Sequence, residues 1–318
     1  MFVIGTFVIL DPFRIVWHYD EYYKGTRIGI NRGFVSTMVY INQKDKYNYD
    51  SFIFGNSRSI AYYEDEWKKY IPQNSSVFHF DASGGSVAGL YYKVKYIDEH
   101  GGKLKNALLI LDHDLLGTTE RTGHLYRTAP ELEGYKNLFP FLKDHFEAFT
   151  TYDFIYALID FYLSNEYKDY MGKYITKRDS MVWHRDTNEE RWDFTEREIE
   201  ECLYYTEERM RVFENCQHPD SIALPIINEE RKVLLRKTAQ VFKKHNTSVK
   251  IVISPLYDQI QFNSKDLSFL RNTFGKDRVF DFSGPNKWNS DYRNFYEQSH
   301  YRPCVANDIL KIIYGSSK

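Results

Sequence analysis

The sequence predicts an α/β fold with a doubly wound parallel sheet, and three observations support this prediction. Short apolar runs recur along the chain, helical patterns lie between them, and most of the runs end in Gly, Ser or Asp. Continuously apolar runs are typical of strands that are buried on both faces of a parallel sheet. Alternation of such strands with helices predicts helical layers on both sides of that sheet.

Five segments have the composition of buried strands, and five have helical periodicity. The predicted strands are 51–55, 76–81, 107–112, 249–254 and 278–282. The predicted helices are 59–70, 86–99, 228–245, 266–274 and 304–314.

The stretch 116–245 interrupts this alternation, and we expect it to be a helical insertion. Its helical patterns cover 146–164 and 194–215, and Asp193 and Glu196 have the spacing of a capping box for the second pattern. The insertion joins the third and fourth strands, so we expect it above the carboxyl ends of the strands, where open α/β sheets bind ligands. The chain thus divides into an N-terminal lead, 1–46, and an α/β domain, 47–318, which carries the insertion.

The lead begins with an apolar run, residues 1–10, that contains no charged side chain. A membrane-spanning helix needs about 20 residues. The run is therefore interpreted either as the last turns of a membrane anchor or as a buried strand. In both cases we expect it to end at Asp11-Pro12.

Composition excludes several classes of protein. The 318 residues carry 42 Lys and Arg against 44 Asp and Glu, a net charge of −2, and this balance argues against nucleic acid as a partner. The three cysteines are too few for a disulfide framework, and Cys202 and Cys216 are expected on one helix. Aromatic residues make up 17% of the chain, which suits either carbohydrate binding or a helical insertion packed with Tyr.

The sharpest local motif is Gly55-Asn56-Ser57-Arg58, directly after the first strand. Glycine permits a tight turn. A helix that starts at Ser57 places the hydroxyl and its N–H at a positive dipole end, which favours a developing oxyanion. The motif predicts a nucleophilic serine, and the structural alternative is a simple N-cap.

A base and an oxyanion donor are predicted from two other turns. Glu297 and His300 are three residues apart before the last helix, a spacing that lets the carboxylate hold Nδ1 and leaves Nε2 for Ser57. Gly84, or else Gly85, follows the second strand and has a backbone N–H to offer the oxyanion. The alternative is an ordinary left-handed turn.

These motifs resemble the SGNH/GDSL hydrolase superfamily, in particular the branch related to cell-envelope polysaccharide O-acetylation and teichoic-acid D-alanylation proteins. The resemblance rests on the Gly-x-Ser-Arg turn, the glycine after strand two and the ending Phe295-Tyr-Glu-Gln-Ser-His-Tyr-Arg-Pro303. It covers the two α/β segments and implies an SGNH-like, flavodoxin-like three-layer sandwich. Members of this branch often carry an N-terminal membrane anchor.

Two positions depart from that family's pattern. Glu297 stands where the family usually has Asp, so His300 leans either on Glu297 or on another acid such as Asp291. Asp112 occupies the region of the usual oxyanion-donating Asn, and an ionised carboxylate donates no hydrogen bond. The oxyanion hole is therefore expected from the N–H groups of Ser57 and Gly84, with Asn56 as a further donor.

Four other residues are candidates for binding. Arg58 is expected to contact a polar or anionic part of the substrate, or else to form a structural salt bridge. Asp112 and Trp183 are expected to line the substrate cleft, and the alternative for Trp183 is a packed loop. Asp112 and Asp114 offer carboxylates to a divalent cation in an alternative, metal-dependent hydrolase.

Together these features predict a serine esterase or O-acyltransferase that acts on acyl esters of a carbohydrate or cell-envelope polymer and uses no cofactor or metal. The alternatives are a non-catalytic carbohydrate-binding or assembly protein and the metal-dependent hydrolase. We expect a location in the cell envelope, with membrane association through a partial anchor, and the alternative is the cytoplasm.

Overall fold

A computed structural model describes residues 2–176 and 181–315 of the chain. The strands are β1 Ser51–Gly55, β2 Val77–Asp81, β3 Asn106–Leu111, β4 Val182–His184, β5 Glu189–Arg191, β6 Ser248–Ile253, β7 Val279–Asp281, β8 Phe295–Glu297 and β9 His300–Tyr301. The α-helices are α1 Phe2–Leu10, α2 Arg32–Tyr47, α3 Glu64–Lys68, α4 Val87–Glu99, α5 His113–Leu116, α6 Leu138–Phe149, α7 Tyr152–Ser164, α8 Asp193–Glu200, α9 Glu207–Met210, α10 Glu229–Lys244, α11 Ser264–Phe274 and α12 Pro303–Tyr314.

The centre of the fold is a five-stranded parallel sheet with the strand order β2-β1-β3-β6-β7. This confirms the predicted α/β class with a parallel sheet flanked by helices. The predicted strands all form, and their carboxyl ends meet at one edge of the sheet. Alternate side chains of each strand enter two separate cores, so the sheet is covered on both faces.

One core lies between the sheet and the helices α2, α4, α10 and α11. The other lies between the sheet and α12, with Trp67 of α3 packed into it. Helix α2 falls within the lead 1–46 for most of its length and α10 within the stretch 116–245, yet both contribute to the main core. The apolar faces of these two helices therefore help to exclude water from one face of the sheet.

Several predicted elements differ from the structure. The pattern at 146–164 divides into α6 and α7, which are separated by Thr150 and Thr151. The pattern at 194–215 divides into α8 and α9, since Cys202 has a left-handed backbone with φ of 60°. Cys202 and Cys216 therefore do not share a helix. The predicted helix 59–70 is a 3₁₀ helix, Ser57–Ala61, followed by the short α3.

The apolar run at the start of the chain forms a helix, α1, so its interpretation as a buried strand is wrong. Helix α1 packs through Phe7 against Phe146 and Phe149, with ring centroids 5.6 and 5.3 Å apart. Across residues 2–176 and 181–315, no helix combines the length and the apolar character needed to cross a bilayer.

A hairpin of β4 and β5 covers the edge strand β2. The His79 N–H donates to the Thr187 carbonyl at 2.8 Å, and the Asn188 amide donates to the His79 carbonyl. Covering this edge satisfies backbone groups that would otherwise be open to another chain. The same hairpin carries the following residue, Trp192, to the carboxyl edge of the sheet.

Candidate active site

The turn after β1 places Ser57 at the carboxyl edge of the sheet. Gly55 is required there by close contacts, since a Cβ on it would lie 2.8 Å from Ser59 Cβ and 2.9 Å from the Ile110 carbonyl oxygen. Asn56 caps the 3₁₀ helix, because its side-chain oxygen accepts from the Arg58 N–H at 3.0 Å. Ser57 is thus the first residue of this helix, where its own N–H has no partner within the helix.

Ser57 and His300 are in hydrogen-bond contact although 243 positions separate them in the chain. Ser57 Oγ lies 2.7 Å from His300 Nε2. On the other side of the ring, His300 Nδ1 is hydrogen-bonded to Glu297 Oε1. Because a carboxylate only accepts, Nδ1 carries the proton and Nε2 is the acceptor for the serine hydroxyl. This is the geometry of a nucleophile, a base and an orienting acid.

Glu297 is held in its ionised form by its surroundings. Burial alone would raise its pKa, but hydrogen bonds from His300 and from Ser299 outweigh this effect and lower the pKa to about 2. Ser299 donates from its hydroxyl at 2.8 Å and from its N–H at 3.1 Å. Asp291, the other acid considered for His300, is instead paired with Arg293. The carboxylate beside His300 is therefore Glu297.

Asn56 and Asp112 both support the turn, and for Asp112 this differs from the expected position in a substrate cleft. Asn56 is fully buried, and its amide donates to Asp112 Oδ2 at 2.6 Å. Asp112 is 1% exposed, caps α5 through the Leu115 N–H at 2.9 Å and also accepts from Arg58 at 3.0 Å. One of the two Asn56 amide hydrogens is thus bound to Asp112 beneath the turn, and Asp112 is too buried to line a cleft.

Arg58 is used mainly within the protein. Besides its salt bridge to Asp112, its Nε donates to the Ser299 carbonyl at 3.1 Å. This contact ties the turn of Ser57 to the loop of Glu297 and His300. The structural alternative, a salt bridge, is what the structure contains, and the Arg58 side chain is 12% exposed.

The glycine loop after β2 packs directly against the turn of Ser57. A Cβ on Gly85 would lie 3.1 Å from Asn56 Cβ, and both Gly84 and Gly85 have positive φ, 68° and 65°. The Gly85 N–H donates to the Ser83 carbonyl at 2.7 Å, whereas within the described chain Gly84 N–H has no such partner. Gly84 therefore offers a backbone N–H of this loop that has no backbone partner among the described residues.

Trp183 is not among the residues around Ser57, and Trp192 occupies the position beside the site that was expected for Trp183. The Trp183 ring packs against Tyr23, with centroids 4.0 Å apart, and against the Arg32 guanidinium at 4.5 Å. The Trp192 ring lies 6.0 Å from the His300 ring and 4.8 Å from the Tyr296 ring. Trp183 is thus a packed residue of the hairpin, as its structural alternative had it.

Asp112 and Asp114 do not form the pair that a cation would need. Strand β3 ends at Leu111 and α5 begins, so the expected strand alternation stops before Asp112. Asp114 is paired with Arg121 at 2.6 Å, while Asp112 is paired with Arg58. Among residues 2–176 and 181–315, no group of three His, Cys, Asp or Glu side chains has the arrangement of a metal site.

Sequence reasoning missed three contributors to the site. Ser299 lies inside the quoted ending but has no motif of its own. Trp192 was one aromatic residue among many in the stretch 116–245. Glu196 is not a capping-box partner, because α8 has no side-chain cap, and its carboxylate instead accepts from Arg302 at 2.7 and 3.1 Å.

No family model, no curated protein and no solved structure matches this chain.

Proposed function

We propose that this protein is a serine esterase or O-acyltransferase acting on acyl esters of a carbohydrate or cell-envelope polymer. The observation that carries the proposal is the contact of Ser57 Oγ with His300 Nε2 at 2.7 Å, with Glu297 on Nδ1 of the same ring. The motif resemblance to the SGNH/GDSL superfamily supports the same chemistry. We propose an SGNH-like arrangement of the sheet and its helices on the same basis.

In this mechanism Ser57 Oγ attacks the acyl carbonyl while His300 Nε2 takes the hydroxyl proton. Glu297 holds the ring in the required tautomer and stabilises the imidazolium that forms. The N–H groups of Ser57 and Gly84 hold the oxyanion. His300 then gives its proton to the leaving alcohol. Water, or a sugar hydroxyl in a transferase, takes the acyl group from Ser57 by the reverse sequence.

The buried Asn56–Asp112–Arg58 network has a positioning role in this proposal. It joins the turn of Ser57 to the end of β3 and, through the Ser299 carbonyl, to the loop of His300. A fixed spacing between nucleophile and base lowers the entropic cost of reaching the transition state. Arg58 and Asp112, which the sequence suggested as substrate contacts, belong to this network.

The test is covalent labelling with a fluorophosphonate probe and hydrolysis of an aryl acetate. We expect the wild type to be labelled, and Ser57→Ala to lose both labelling and hydrolysis. His300→Ala should lower kcat by at least about 10³-fold. Ser59→Ala is the matched control, because Ser59 lies in the same 3₁₀ helix but donates to the Asn56 carbonyl.

Equal labelling of wild type and Ser57→Ala would remove Ser57 as the nucleophile. Absence of labelling and of hydrolysis in the folded wild type would favour the non-catalytic carbohydrate-binding or assembly protein. We propose a cell-envelope location with the acylated polymer as partner, on the family resemblance alone.

A further inference from the structure

A small apolar cavity opens beside the Ser57–His300 pair. Its volume is about 10 Å³, and besides these two residues its walls include Ile60, Ala61, Tyr63, Trp192, Tyr296 and Pro303. Ile60, Ala61 and Tyr296 are all buried. The walls are hydrocarbon and aromatic ring, so the cavity suits an alkyl group and offers little to a sugar hydroxyl.

The cavity has room for a single group of about the size of one water molecule. A methyl group is of that size, whereas a propyl chain is several times larger. A longer chain enters only if a wall moves. Whether the walls move is therefore what determines the range of groups that the cavity accepts.

Trp192 forms the wall between the hairpin and His300, and it is held at both ends. Its ring packs against Tyr296, and its Nε1 donates to Glu190 Oε1 at 2.7 Å. Glu190 is 5% exposed and accepts through its other oxygen from Arg32 at 2.7 Å. Arg32 is itself buried and bonded to Asp81, the last residue of β2.

This series of contacts ties the Trp192 ring to the central sheet. A side chain whose polar end and ring face are both fixed by buried partners does not move aside at low cost. The charged side chains of Arg58 and Asp112 are not among the walls of the cavity. An ester therefore fits with its alkyl group in the apolar cavity and its polar alcohol outside it.

We propose that Trp192 is the residue that limits the acyl group to acetyl, by closing the cavity at the depth of one methyl group. The inference rests on the proposed function, because it names the acyl substrate of the Ser57 site. Trp192 contacts the acyl chain and takes no part in proton transfer.

The test measures kcat/KM on p-nitrophenyl acetate, butyrate and hexanoate for the wild type, Trp192→Leu and Trp192→Ala. We expect the butyrate-to-acetate ratio to rise at least tenfold in Trp192→Ala and by a smaller factor in Trp192→Leu, since a hydrophobic pocket discriminates about tenfold or more per methylene. Trp17→Ala is the matched control, because Trp17 is 54% exposed and packs at the end of α1. Its ratio should equal that of the wild type.

An unchanged ratio in both Trp192 variants, with hydrolysis that still depends on Ser57, overturns this inference and leaves the proposed function standing. A ratio that follows the size of the alcohol in an acetate series, and not the acyl chain, also overturns it. Absence of Ser57-dependent hydrolysis of every ester overturns both proposals. If Trp192→Ala does not fold, Trp192→Leu carries the same comparison.

Discussion

Burial and hydrogen bonding together decide whether individual acidic and histidine side chains carry a charge in the folded protein. Glu297 stays ionised to low pH, because hydrogen bonds to its carboxylate overcome burial. His79 and His145 stay neutral, because burial lowers the pKa of each to about 4. His79 lies under the turn of Ser57, with Nε2 at 3.0 Å from Ser59 Oγ and Nδ1 without a partner among the described residues. Protonation there would bury an unpaired charge.

The residue-scale prediction concerns stability against pH. In the unfolded protein His79 binds a proton below its ordinary pKa of about 6.5, whereas in the folded protein it does so only near pH 4. Between these two pH values the unfolded state binds more protons, so each pH unit of acidification lowers the free energy of unfolding by about 1.4 kcal/mol. Glu297 acts in a lower window, since its contribution is present above about 4.5 and is lost as the pH falls towards 2. We expect His79→Gln to lose about 2 kcal/mol less than the wild type between pH 7.5 and pH 5.0, measured by urea unfolding.

The control for this measurement is His18→Gln, because the His18 side chain is 62% exposed. It should lose as much stability as the wild type over the same range. An identical loss in His79→Gln and the wild type would contradict the assignment of a neutral, buried His79.

At the scale of elements, hydrogen bonds connect α8 to the segment that carries His300. Glu196 of α8 accepts two hydrogen bonds from Arg302, and Tyr296 donates to the same carboxylate. Burial opposes the charge of Arg302, but the hydrogen bonds and attraction of Glu196 prevail and raise the pKa of the guanidinium. A bidentate pair of this kind restricts geometry more strongly than a single contact. The ending of the chain is thus held against the insertion.

The element-scale prediction is that Glu196→Gln destabilises the protein by about 1–2 kcal/mol, because it removes charge-assisted hydrogen bonds to Arg302. Aryl-ester hydrolysis should fall severalfold, since Tyr296 and Arg302 flank the β8–β9 turn with His300. The measurements are urea unfolding and kcat/KM.

Glu198→Gln serves as the control, because Glu198 lies on the same helix and reaches Arg209 only at 3.4 Å. A surface pair of this kind contributes little. Equal stability of the Glu196 and Glu198 variants would show that the Glu196–Arg302 contact does not hold α8 in place.

At the scale of the whole molecule, the lead is part of the folded core. Val35, Val39 and Tyr40 of α2 are buried in the main core, and the Tyr40 ring stacks on Phe80 with centroids 5.2 Å apart. Arg32, at the start of α2, joins the end of β2 to the hairpin through Asp81 and Glu190. The described structure therefore has no boundary at residue 47 across which the core is interrupted.

The prediction at this scale is that a chain beginning at residue 48 does not unfold cooperatively. Removal of each large core side chain costs about 2–5 kcal/mol, and domains are stable by only about 5–15 kcal/mol. Near-UV circular dichroism and urea unfolding measure the loss. A chain that begins at residue 11 keeps α2 and should still unfold in one transition. Equal unfolding midpoints for the two truncated chains would contradict a core role for α2.

Local signals in the sequence were enough to predict the strands, the turn that presents Ser57, and the contact of Glu297 with His300 from their three-residue spacing. These features depend on periodic burial and on backbone preferences within a few residues. The breaks of the long helical patterns at Thr150 and Cys202 were not predictable in this way, because helix length is decided by which faces find a partner in the folded chain.

The chain by itself determined the parallel α/β architecture and the chemical groups at the ends of the strands. Only the tertiary structure decided how those groups are used. It brought Ser57 to His300, bonded the Asn56 amide to Asp112 beneath the turn, and placed Trp192 beside the pair where Trp183 had been expected. The physical reason is that backbone conformation responds to near neighbours, whereas the partner of a buried polar or aromatic side chain is set by contacts between distant segments.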